Sequence, residues 1–96
     1  MKIEKHVNGS EMVITLDGWL DTQAAPEFEA ARKDITDDIE SLVIDCKSLE
    51  YISSSGIRQF VAAHKQMNGK LTLTNVSPEI LDILNMTGIS KRIQIK

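Results

Sequence analysis

Two hydrophobic periods take turns along this chain. Met12, Ile14 and Leu16 alternate with polar residues, the period of a half-buried strand, and Leu20 keeps their phase beyond Gly18. Val13, Thr15, Asp17 and Trp19 point the other way, which leaves the tryptophan less buried than its size suggests and its role open. Lys2 to Val7 reads as a preceding strand, because Asn8-Gly9-Ser10 carries the Asn-Gly signal of a hairpin turn. A helix begins near Ala24 or Ala25, since Pro26 fits only a first turn, and Phe28, Ala31 and Ile35 then form an apolar stripe. Asp37, Asp38 and Glu40 make a solvated connection to SLVID, Ser41 to Asp45. There Leu42, Val43 and Ile44 run without alternation, which predicts a strand covered on both faces of a parallel sheet.

From Ile57, the spacing of Phe60, Val61, His64 and Met67 marks the buried side of a helix that stops at Asn68-Gly69. KLTLTN, Lys70 to Asn75, alternates as a half-buried strand should. Ser77-Pro78 then caps and starts a helix with Ile80, Leu81, Ile83 and Leu84 inward, Gly88 stops it, and RIQIK is a last short strand. The expectation is one domain over residues 1–96, of α/β class: a mixed sheet with an N-terminal antiparallel hairpin followed by β-α-β-α-β-α-β. Its predicted core contains Ile14, Leu16, Leu42, Ile44, Ile57, Phe60, Val61, Leu71, Leu73, Ile80 and Leu84, with Met12, Met67 and Met86 as filling.

Composition narrows the function. Ninety-six residues that are 42% hydrophobic build one core and are too few for two ordinary domains. A net charge of -3, scattered basic residues and four aromatics exclude the basic stripe and stacking platform of a nucleic-acid binder. MKIEKHVNGSEM has no apolar stretch long enough for a signal peptide or a membrane span, so a cytoplasmic chain with no membrane insertion is expected. The one cysteine, Cys46, has no disulfide partner and reads as a small core residue. With His6 and His64 distant from it there is no metal-ligand spacing, and no cofactor is expected.

The stretch SSSGIRQF, Ser53 to Phe60, holds more hydroxyls before a helix than a cap needs. They cap, satisfy local turns, or carry chemistry. A serine-hydrolase reading lacks a GxSxG elbow and a well-placed histidine, so no enzyme is expected. A helix N-terminus does stabilise a phosphate, through free N–H groups and about half a positive charge.

Three stretches in order resemble the STAS domain family, typified by bacterial anti-sigma factor antagonists. GWLDTQAAPEF (Gly18 to Phe28) is similar to the family's Gly-x-Leu-Asp followed by Ala-Pro-Glu. LVIDCKSLEYISSSGI (Leu42 to Ile57) is similar to its buried strand, small loop and Asp-Ser-Ser-Gly signature, and SPEILDILNMTGI (Ser77 to Ile89) to its third helix and closing glycine. The resemblance implies a partner-switching protein. Unphosphorylated, it binds an anti-sigma factor that is also a serine kinase; phosphorylated, it releases it, and a phosphatase resets it. Matched on Gly56, the phosphoacceptor is Ser54, with Ser53, which stands where the family has aspartate, as the alternative. Partner contacts implied are Asp21, Thr22, Ser53, Ser55, Gly56 and Arg58. Asp21 or Thr22 also reads as a helix cap, Gly56 as a close-approach or positive-φ position, and Arg58 and Gln59 as a solvated face. The alternative function is a non-catalytic STAS subunit of a bacterial ABC-type lipid transporter. Many members carry one more helix than this sequence provides, so an open surface near the third helix and weak self-association are expected.

Overall fold

Gly9, at φ +63°, turns the chain between β1 (Lys2–Asn8) and β2 (Glu11–Leu20), which pair antiparallel with Asn8 opposite Glu11. The computed structural model describes residues 1–96. Beyond the hairpin, strands and helices alternate: α1 (Ala25–Lys33), β3 (Ser41–Ile52), α2 (Ser54–Gln66), β4 (Leu71–Thr74), α3 (Pro78–Met86), a single 3-10 turn (Ile89–Lys91) and β5 (Gln94–Ile95). The sheet is ordered β1-β2-β3-β4-β5, with every pair after the first parallel. The predicted mixed α/β architecture is the one observed.

Because the strand order never reverses, each right-handed crossover steps in the same direction and lays its helix on the same face. One core results. Met12, Ile14, Leu16 and Leu20 of β2, Leu42, Ile44 and Cys46 of β3, and Leu71 and Leu73 of β4 are buried under Phe28, Ile57, Phe60, Ala63, Ile80 and Leu84. Phe28 and Phe60 meet edge to face, ring centroids 6.0 Å apart, and join α1 to α2. A polar clamp reinforces that contact: Arg32 donates through Nε to Gln59 Oε1 at 3.1 Å and through Nη1 to Gln66 Oε1 at 2.8 Å.

The same topology corrects the expectation for β3. Its burial alternates, with Leu42, Ile44 and Cys46 inside and Val43 and Asp45 only half-covered, because no helix crosses to the second face. That face carries Glu4, His6, Val13, Thr15, Val43, Asp45, Thr72, Thr74 and Gln94, none of them buried. The strand also runs past Asp45 to Ile52, through residues expected in a loop, because β2 extends alongside it to Leu20. Two register shifts, one before Asp17 and one after Gly18 at φ +111°, keep the long ladder paired.

Two further expectations change. Val61 is half-buried at the flank of α2, where Ala63 takes an inward position that spacing had given to His64. Met86 is 86% exposed at the end of α3 and fills nothing. Ile39, Leu49, Ile52, Ile89 and Ile93 complete the core from stretches that carry no clear period. No helix is long and apolar enough to cross a membrane.

Candidate functional site

β2 and β3 end level with each other, Leu20 opposite Ile52, so the segments leaving their carboxyl ends emerge side by side. Parallel α/β sheets commonly present their functional groups at this end. Asp21-Thr22-Gln23 leaves β2, and Ser53-Ser54-Ser55-Gly56 leaves β3 as the opening turn of α2.

Asp21 is the cap for the α1 turn. Its Oδ1 accepts from the backbone N–H of Gln23 at 3.1 Å and of Ala24 at 3.0 Å, while Ala24, the residue before the helix, supplies no side-chain bond. Thr22 caps nothing; its hydroxyl lies 3.3 Å from Ser55 Oγ, linking the two segments.

Each serine has a distinct setting. Ser53 is the N-cap of α2: its backbone is extended, its Oγ accepts from Gly56 N–H at 3.3 Å, and its hydroxyl donates to the Leu20 carbonyl at 3.4 Å. Ser55 is half-buried and tied to Thr22. Ser54 is exposed, and its hydroxyl makes no hydrogen bond.

Gly56 is required by close approach. A Cβ there would stand 2.5 Å from the Leu20 carbonyl oxygen and 2.8 Å from both Ile52 Cγ1 and Leu20 Cγ, and the residue does not use a positive φ. This contact presses the first turn of α2 onto the end of β2.

The turn contains no acidic residue, so nothing on it offsets the positive helix end. Arg58, one turn after Ser54, is exposed and takes part in no ion pair. Gln59, read as solvated, instead belongs to the Arg32 clamp.

No imidazole approaches these hydroxyls. His64 lies ten residues along α2 from Ser54, about 15 Å of helix rise, and His6 is on edge strand β1 near Glu4. Cys46 is buried, and burial, with a smaller contribution from the Asp45 charge, pushes its thiol up to about 12. It is an inert core residue. No group of three or more His, Cys, Asp or Glu is placed to hold a metal.

The site has a neighbour that the sequence did not reveal as a unit. Trp19 and Tyr51 stand opposite each other on β2 and β3, ring centroids 5.2 Å apart. Each directly precedes a buried residue, Leu20 and Ile52, and that phase was the available signal that both rings point outward.

The STAS domain model matches residues 2–96. The chain is 24% identical over 98 residues to the anti-sigma-B factor antagonist of Bacillus subtilis (strain 168), covering 99% of this chain and 90% of that protein. Among solved structures, an anti-sigma factor antagonist from Mycobacterium paratuberculosis aligns with a TM-score of 0.87 at 21% identity, over 98% of this chain and 83% of that one. The phosphorylated form of the Bacillus cell fate determinant SpoIIAA aligns at 0.68 with 18% identity, over 99% of this chain and 91% of its own. These structural likenesses are likenesses of fold.

Proposed function

This chain belongs to the STAS domain family, and from that premise we propose that it is an anti-sigma factor antagonist whose grip on an anti-sigma factor kinase is released by phosphorylation of Ser54. One observation carries the choice of residue: Ser54 alone among three adjacent serines has an exposed hydroxyl free of hydrogen bonds. Ser53, the alternative acceptor, would have to give up its cap of α2 to react. The similarity to the Bacillus subtilis antagonist supports the choice of partner.

The output of such a protein is affinity rather than catalysis, and it acts in the cytoplasm, where its partner works. A phosphate on Ser54 sits at a helix N-terminus that favours negative charge, so the fold absorbs it. A partner fitted closely over Asp21, Thr22, Ser55, Gly56 and Arg58 does not. Ser53 in place of the family's aspartate leaves the loop without a fixed carboxylate beside the incoming phosphate. That same departure favours the second reading, a non-catalytic STAS subunit of an ABC-type lipid transporter, whose partner is an ATPase.

Incubation with the anti-sigma factor kinase encoded nearest this protein, followed by phosphopeptide mapping, tests the first reading. Label on Ser54 is expected and should disappear in Ser54→Ala. Absence of label from Ser53 to Ser55 would contradict it.

A further inference from the structure

Large aromatic side chains stabilise a protein by being covered, yet Trp19 is 58% exposed and Tyr51 41%. Both residues stand at the carboxyl ends of β2 and β3, where the Ser54 loop emerges. Trp19 also walls, with Met1, a hollow of about 320 Å³ whose other lining residues are Asp21, Gln23, Ala24 and Glu27. The Met1 α-amino group is the one cation among its lining residues; neither it, Asp21 nor Glu27 is in an ion pair, so the lining keeps a net negative charge. Asp21 Oδ1 is committed to the α1 turn; Glu27 is exposed and uncommitted.

A tryptophan and two carboxylates lining one hollow select a charge sign. An anion would be repelled, and a purely apolar group would bury carboxylates without compensation. A cation satisfies both features: it is attracted to the ring face and neutralises the acids, and a planar guanidinium also stacks on indole where an ammonium cannot. Building on the partner-binding reading above, we propose that the Trp19 hollow, with Tyr51 bracing the indole, receives an arginine side chain of the protein partner. The hollow adjoins the Ser54 loop through Asp21, so one partner surface covers both. The arginine anchors the complex while Ser54 switches it.

Trp19 is the only tryptophan, so its indole reports directly. The peptide acetyl-Gly-Arg-Gly-amide, titrated in NMR against its citrulline counterpart, should shift the Trp19 indole N–H and the Glu27 amide in a salt-sensitive way. Citrulline should not, and Trp19→Ala should abolish the remaining response at Glu27. Equal responses to both peptides, or none at Trp19, would overturn the proposal. With the kinase partner, Trp19→Ala should weaken binding about tenfold or more while the protein stays folded, and Glu27→Gln less, without lowering the melting temperature. If Trp19→Ala binds as tightly as wild type, the hollow is not a docking site and the Ser54 reading stands. If the kinase binds no form of the protein, the Ser54 reading fails, and the peptide titration alone decides the hollow.

Discussion

Ser53, Ser54 and Ser55 share a side chain and differ in everything around it. The first spends its oxygen on the helix end, the third on Thr22, and the second on nothing. Their substitutions should therefore rank. Ser53→Ala loses the N-cap and costs about 1 kcal/mol, a fall in melting temperature of roughly 4–8 °C in a domain of this size. Ser54→Ala stays within about 0.5 kcal/mol of wild type. Gly56→Ala is the most damaging, about 1–3 kcal/mol or more, because the nearest obstacle to its Cβ is the backbone oxygen of Leu20 rather than a flexible side-chain tip. Thermal melts check the order, and Ser54→Ala melting below Ser53→Ala would show that the cap has been assigned to the wrong serine.

At the scale of elements, β3 decides where the site lies. Its first half, Leu42 to Asp45, is paired with β2 on one side and β4 on the other, whereas Leu49 to Ile52 is paired with β2 alone. Amides of Leu42 to Ile44 should be among the slowest to exchange with deuterium and those of Leu49 to Ile52 distinctly faster, since singly paired backbone opens in smaller units. Equal protection along the strand would contradict that division. This element also shows what was legible in the sequence. The alternation of Met12, Ile14 and Leu16 and the Ser77-Pro78 start of α3 are local signals, and local signals placed those elements correctly. Leu42-Val43-Ile44 is also local, but whether Val43 is covered depends on the path of distant helices, which no short stretch encodes. The extension to Ile52 depends likewise on β2 continuing past its own irregularities. Ser54 was legible only through the family resemblance, because exposure and a missing hydrogen bond are properties of three-dimensional neighbours. Tyr51 acquired a role only once register set it beside Trp19.

The whole molecule is two layers: helices over one face of the sheet, open strands on the other, and the proposed partner-binding edge where the β2 and β3 ends meet. This arrangement separates duties. The core lies beneath the helices, so the loop carrying Ser54 can change charge without disturbing buried contacts. Stability and partner binding should accordingly respond differently to the same substitution. The most direct measurement compares Ser54→Asp with wild type for kinase-partner affinity and melting temperature in one buffer. Melting within a few degrees of wild type is expected, with affinity lower by about a hundredfold, an interface penalty of ~3 kcal/mol. Ser54→Asp binding the partner as tightly as wild type, or losing it only because the protein has unfolded, would rule out a Ser54 switch that leaves the fold intact.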